Sequence, residues 1–309
     1  MPASRSRRRA RIFPLTLPAA VGAVVGILGL AACGSSSSST SSSAKVSGPV
    51  DVAYAGSFEK LVNSTLAPAF EKATGATFTG YPAGSTALAS AIKGKTKVED
   101  VFLSASLSAN ETLTGPANGD WVSWYSSLAT APLVLGYNPK SKFAADLKSK
   151  PWYQVVTEPG FLLGRTDPTL DPKGKLSVQA LDQAATSQSQ PALASLATST
   201  TGVFPEETLV GRLQSGNLDA GFFYVHEAKA ATIPTVSLTP VDLSAKYTVT
   251  VLNRAPDQKG AEAFVAYLYS AAGQKILRDA GLTLPAAPKV TGTTAAVPAS
   301  LRQALGVKG

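Results

Sequence analysis

Val50 to Phe58 reads VDVAYAGSF. Val50 to Tyr54 is a short apolar run of strand character. Ala55-Gly56-Ser57 turns it straight into a segment whose apolar residues, Phe58, Leu61, Val62, Leu66 and Phe70, recur at helical spacing. Ser57 or Gly56 stands where a helix cap belongs. The pattern repeats at once: Ala76 to Tyr81 is the strand, Ala83-Gly84-Ser85-Thr86 the turn and Leu88 to Ile92 the helix. A third unit begins at Val98 and carries EDVFLSAS, which places Ser104 and Ser106 at the end of another strand. Strands that alternate with helices argue for a parallel, doubly wound α/β sheet. In such sheets ligands sit at the carboxyl ends of the strands, beside helix N-termini. Three successive strands here end in serine-bearing turns, although each serine taken singly reads as a cap.

Toward the N-terminus the text changes character. Arg5, Arg7, Arg8, Arg9 and Arg11 form a basic region, followed by an apolar run from Ala19 to Ala32 that is short for a membrane span and rich in Gly and Ala. The run ends in Leu30-Ala31-Ala32-Cys33, the pattern of a bacterial lipoprotein signal in which the cysteine is lipidated and becomes the first residue. Cys33 is the only cysteine, so no disulfide forms within the chain. Ser6-Arg7-Arg8 raises the question of an Arg-pair export signal, but the residues after it match poorly. Residues 34–43, GSSSSSTSSS, have nothing to bury and read as a flexible tether. Removal of residues 1–32 takes away five arginines and no acidic residue, which lowers the formal charge from +8 to +3. The basic balance therefore belongs to targeting and is no argument for nucleic acid.

Toward the C-terminus, Trp121 to Ala131 is irregular and aromatic, and Pro132 to Tyr137 resumes as a strand closed by Asn138-Pro139. Tyr125 to Ala131 reads as a crossing into a second lobe. That lobe runs through Phe161-Leu162-Leu163, a helix over 176–185, a helix over 208–215 and the buried strand Phe222-Phe223-Tyr224. Val236 to Val241 and Tyr247 to Leu252 carry the chain back to the first lobe, and helices over 260–271 and 273–280 close it. The expected organisation is a signal at 1–32, a tether at 33–48, lobe one at 49–128 and 239–290, lobe two at 129–238 and a tail at 291–309. A fold crossed twice has a cleft and a two-strand hinge between its lobes.

Gly164 to Gly174, GRTDPTLDPKG, opens the long helix of lobe two. Each proline pushes the residue before it toward extended backbone, so Asp167 and Asp171 are not helical. A proline is tolerated in a first helical turn, where its missing N–H would lack a partner anyway. Two readings fit: a capped surface turn, or a helix mouth whose free N–H groups favour an anion.

Together AYAGSF (53–58), YPAGSTALASAI (81–92), GRTDPTLDPKG and LQSGNLDAGFFY (213–224) resemble the molybdate/tungstate-binding lipoproteins of ABC importers, over about residues 49–290. The resemblance implies a periplasmic-binding-protein type II fold: two α/β lobes, each a doubly wound, mainly parallel sheet flanked by helices, closing on one tetrahedral oxyanion. In that family the serines of two Ala-Gly-Ser turns bind anion oxygens, which match Ser57 and Ser85. Backbone N–H groups at two helix starts fall near Lys173 and Glu206, and a tyrosine hydroxyl falls on Tyr224. A dianion held by neutral donors and helix termini avoids burying a permanent cation. In the tungstate-type branch an aspartate and a glutamate add two further oxygens. The aspartate matches Asp171, whereas the glutamate falls on Phe223, which cannot ligate. The anion is then four-coordinate, or the register of the match is shifted. Asp167 is expected to cap its own turn.

The resemblance also implies permease and ATPase partners, no cofactor beyond the oxyanion itself, a monomer, and a place on the outer face of the cytoplasmic membrane through the Cys33 lipid. Phe223 keeps sulfate, thiosulfate or a small organic anion in view as alternative ligands. Catalysis finds little support. His226 is the only histidine, no GxSxG-type elbow accompanies it, and it reads as a helix-start or cleft-rim residue. Glu206 and Glu207 read as first-turn acids that suit the helix dipole.

Overall fold

The computed structural model describes residues 48–308. The basic segment, Cys33 and the serine tether lie outside the described residues. No helix among the described residues is long and apolar enough to cross a membrane.

The chain opens with β1 (Pro49–Ala55), whose residues from Val52 on are buried, as a central parallel strand covered on both faces requires. A 3-10 turn at Gly56–Phe58, α1 (Glu59–Leu61), a π turn at Val62–Leu66 and α2 (Ala67–Thr74) then form one helical run. Its buried stripe is the one read from the sequence, Phe58, Leu61, Val62, Leu66 and Phe70. The run stops at Gly75, whose φ of 74° is left-handed, the usual glycine ending of a helix. Next come β2 (Thr77–Ala83), α3 (Ser85–Lys93), β3 (Val101–Ser104) and α4 (Leu107–Glu111). β2 and β3 flank β1, both parallel to it.

β4 (Trp124–Tyr137) is a strand of 14 residues. The stretch that read as irregular is thus its first half, broken only by a register shift between Ser127 and Ala129. Beyond it lie α5 (Ala144–Ser149), α6 (Trp152–Val155), β5 (Leu163–Thr166), α7 (Pro172–Ser187) and α8 (Pro191–Thr198). They are followed by β6 (Val203–Phe204), α9 (Glu206–Gln214), β7 (Ala220–Tyr224), α10 (Val225–Ala230) and β8 (Thr235–Ser237). β5 runs parallel to β6 and β7. The chain returns through β9 (Ser244–Val251), α11 (Gln258–Tyr269) and α12 (Ala271–Asp279), and ends with β10 (Val290–Gly292) and α13 (Ala299–Arg302).

The strand order is β2-β1-β3-β9-β4-β7-β5-β6, with β8 and β10 also on β4. Each end of this series is parallel, and β9 and β4 join the ends with antiparallel pairings. β4 passes from one partner to the other between Pro132, opposite Ser244 of β9, and Leu133, opposite Tyr224 of β7. The residues read as a C-terminal tail are built into the fold: β10 pairs with the start of β4, and Val297, Leu301 and Leu305 are buried. Phe264 of α11 packs edge-on against Phe70 at 5.2 Å and lies 5.5 Å from Phe78, which fastens the return helix to β2 and α2. Phe264→Ala is expected to lower unfolding stability by about 3–5 kcal/mol, the cost of a large cavity at a site without solvent contact, read from urea denaturation.

Candidate functional site

Both Gly-Ser turns stand at the carboxyl ends of their strands. Ser57 follows β1, and its buried Oγ lies 2.8 Å from the Tyr247 hydroxyl on β9. Ser85 opens α3, and its Oγ accepts the Ala105 N–H at 3.0 Å. Neither hydroxyl caps its own helix. Ser85, which accepts, keeps its proton to donate elsewhere, and Ser57 does so when the Tyr247 hydroxyl is the donor of their pair. The third serine turn differs. Ser104 Oγ donates to Ser106 C=O and accepts the Ser106 N–H, so it is consumed within its own turn.

Lobe two brings carboxylates to the same place. Asp171 is extended, at φ −134° and ψ 130°, and caps α7 by accepting the Lys173 N–H on Oδ1 at 2.9 Å. Its Oδ2 is buried and makes no hydrogen bond in this geometry, with the Thr166 hydroxyl, also unbonded, as its neighbour. Asp167 caps its turn as expected, its Oδ1 accepting from the N–H and the hydroxyl of Thr169. Glu206, first residue of α9, turns its side chain inward, and neither carboxylate oxygen has a hydrogen bond. Glu206 is buried and neighbouring Glu207 is exposed, so the acidic pair does not act as one unit. The Tyr224 hydroxyl at the end of β7 is likewise buried and unpartnered.

The two lobes meet where these groups face one another. A Cβ added at Gly56 would lie 2.7 Å from Glu206 Oε2. One added at Gly84 would lie 2.5 Å from the Leu170 carbonyl oxygen and 3.0 Å from Asp171 Cβ. The Leu170 carbonyl also accepts the Ala87 N–H of α3 at 3.0 Å, a backbone bond from lobe to lobe. Glycine at 84 is required for this approach to the Leu170 carbonyl and Asp171 Cβ, and glycine at 56 lets the Glu206 carboxylate come up to the Ser57 turn.

Lys173 departs from expectation. Its backbone N–H is taken by Asp171, and its side chain is 0% exposed and enters the cleft as a cation. Nζ donates to Glu227 Oε1 at 2.7 Å and Oε2 at 2.9 Å and lies 3.4 Å from Glu206 Oε1. The expected site without a buried cation is therefore wrong, for a physical reason. Three carboxylates, Asp171, Glu206 and Glu227, enter one desolvated volume, and buried charges persist only when paired. Burial works against the ammonium, but Glu227, Glu206 and Asp171 together hold its pKa above the ordinary lysine value. Burial pushes the Asp171 carboxyl up, and pushes Glu206 well up with help from the charge of Asp171.

Glu227 was not legible as a site residue, yet a signal existed. It lies three residues after Tyr224, the spacing of a capping box, and its Oε2 accepts the Tyr224 N–H at 3.2 Å. Phe223, where the resemblance placed a glutamate, packs with Leu209, Leu213, Leu218 and Ile233 on the opposite face of β7 from Tyr224. The second carboxylate beside the cleft is instead that of Glu206, 17 residues earlier in sequence.

His226 does start a helix, but it is fully buried and does not form a rim. Its ring stacks on Tyr224, with centroids 6.1 Å apart at 14°, and meets Phe58 at 5.0 Å. Nε2 lies 3.5 Å from the Tyr247 hydroxyl. Burial, reinforced by Lys173, pushes the imidazole pKa down to about 3. The folded chain thus keeps His226 neutral where the unfolded chain protonates it. As pH falls from about 6.5 toward 3 the unfolded state gains a proton the fold refuses, so stability is lost by about 1.4 kcal/mol per pH unit. His226→Gln is expected to remove that slope, so urea midpoints of wild type and variant converge as pH falls from 7 to 4. Parallel acid limbs would contradict the burial of a neutral ring.

Residues 50–283 match the family of bacterial extracellular solute-binding proteins. The chain is 29% identical over 265 residues to an uncharacterised solute-binding protein of Halobacterium salinarum, covering 76% of this chain and 84% of that protein. It is 27% identical over 212 residues to a molybdate/tungstate-binding protein of Pyrococcus abyssi, covering 52% of this chain and 62% of that one. Among solved structures, the periplasmic molybdate-binding protein of Azotobacter vinelandii superposes with a TM-score of 0.60 at 21% identity, over 76% of this chain and 99% of that chain.

Proposed function

The chain belongs to the family of bacterial extracellular solute-binding proteins, and on that premise we propose that its cleft captures one tetrahedral oxyanion, molybdate or tungstate, for delivery to an ABC importer. A relative named for molybdate and tungstate and another fold neighbour named for molybdate support this choice. The observation that carries it is the pairing of two donor turns with three buried carboxylate oxygens that accept no hydrogen bond, Asp171 Oδ2 and both of Glu206. Ser57, Ser85 and the Tyr224 hydroxyl supply donors for anion oxygens. Asp171 Oδ2 and the Glu206 carboxylate, when ionised, are acceptors only and have nothing to donate to a dianion. They suit an anion whose central atom accepts further oxygens, as molybdenum(VI) and tungsten(VI) do and sulfur(VI) in sulfate does not. On this reading the acids complete a six-coordinate shell, Asp171 from the α7 start and Glu206 from the α9 start.

Export, lipidation at Cys33 and the serine tether would place the cleft on the outer face of the cytoplasmic membrane, next to a permease and its ATPase. Capture and release need no covalent chemistry, and the proposed role is transport.

A second reading has its own support. Burial raises the pKa of both acids; as neutral carboxyls they donate O–H to an anion that adds no ligands, such as sulfate. Calorimetric titration with molybdate, tungstate, sulfate and phosphate separates the readings. Tight binding of the first two, with sulfate at least tenfold weaker, is expected. Ser57→Ala and Ser85→Ala should each cost about 10- to 100-fold in affinity, the worth of one hydrogen bond to a charged group. A silent response to molybdate and tungstate would overturn the function, and unchanged affinity in both serine variants would overturn the site.

A further inference from the structure

Glu206 uses its two oxygens differently. Oε1 faces the Lys173 ammonium at 3.4 Å, whereas Oε2 faces lobe one, 2.7 Å from the place a Gly56 Cβ would occupy. The ammonium is itself anchored by Glu227 at 2.7 and 2.9 Å. Its two hydrogen bonds go to Glu227, and its 3.4 Å approach to Glu206 Oε1 is an ion pair without a hydrogen bond. Among the described residues, Lys173 is the only cation paired with the carboxylates of the cleft. The phenyl ring of Phe223 and the phenol ring of Tyr224 lie 5.6 and 5.8 Å from Nζ and complete its enclosure.

We propose that Lys173 is a positioning residue that sets the cleft's choice among oxyanions. Anchored by Glu227, its ammonium holds one oxygen of Glu206 and leaves the other turned toward the Gly56-Ser57 turn, where it reaches the central atom of an anion that accepts further oxygens. The inference rests on the oxyanion reading above, and adds that selectivity depends on Lys173 acting through Glu206. Without the ammonium, Glu206 is free to turn from the turn or to take a proton, and the cleft then treats tungstate and sulfate more alike. A pair that served only to neutralise itself would behave otherwise: its joint removal would leave Glu206, and the preference, as they were.

The test compares the ratio of sulfate to tungstate dissociation constants, by calorimetry, in wild type, Glu227→Gln and the double variant Lys173→Met with Glu227→Gln. The double variant removes both charges of the pair and leaves no unpaired cation, and melting temperature checks its fold. A drop in the ratio of at least tenfold in the double variant is expected. Glu227→Gln alone should also lower it, because the freed ammonium moves onto Glu206 and draws the carboxylate from the Gly56 turn. A folded double variant that keeps the wild-type ratio within threefold overturns the inference, and should that variant fail to fold, a wild-type ratio in Glu227→Gln overturns it instead. Wild type that binds neither anion would defeat the oxyanion reading itself, which is a different result.

Discussion

Lobe two can present its face to the serine turns only if the negative charge gathered there is tolerable. Asp171, Glu206 and Glu227 converge in a volume from which water is excluded, and Lys173 is the ammonium set among them. Desolvation of such groups costs several kcal/mol per ion unless partners replace the lost water. The arrangement meets that cost unevenly. Glu227 receives two short bonds from Lys173, Asp171 receives one backbone N–H, and Glu206 receives only a 3.4 Å contact. Oxygens on Asp171 and Glu206 and the Tyr224 hydroxyl are left among the buried polar atoms without a hydrogen bond, and Glu206 Oε2 is turned to the Gly56-Ser57 turn. Buried polar atoms without partners are rare enough to call for an explanation, and a ligand in the cleft supplies one.

The scaffold explains how such a site is assembled from distant parts of the chain. Ser57 and Ser85 stand at the ends of parallel strands in one half of the sheet. Asp171 and Glu206 stand at helix starts after β5 and β6 in the other half. β4 and β9 join the halves, and Tyr247 on β9 reaches both Ser57 and His226. Glycine at 56 and 84 then decides how near the halves come, because the opposing groups are a carboxylate tip and a backbone carbonyl. The carbonyl cannot move aside as a side-chain tip can, so contact at Gly84 is the stricter of the two.

Much of this architecture was legible in the residues. Alternating strand and helix patterns, the apolar stripe from Phe58 to Phe70 and the Asp171-Pro172 helix start all correspond to elements of the fold. The aromatic stretch from Trp124 was not, because a strand that changes partners midway and carries a bulge has no clean alternation to read. The C-terminal residues looked like a tail since Pro, Ala and Thr say little locally, yet Leu301 and Leu305 are core residues. In the site, the Gly-Ser turns and Tyr224 were visible as motifs, whereas Lys173, Glu227 and Tyr247 act through contacts of 54 and 190 positions in sequence separation. Phe223 misled for a local reason: strand residues alternate sides, and the position that resembled a ligand faces the core.

On the oxyanion reading, Asp171 and Glu206 add their oxygens to the anion that the serine turns hold. X-ray absorption at the tungsten edge of the tungstate-loaded protein measures the number of oxygen neighbours directly. Six are expected, with two at longer distance that disappear in the Asp171→Asn, Glu206→Gln double variant. Four equal neighbours in the wild type would contradict it.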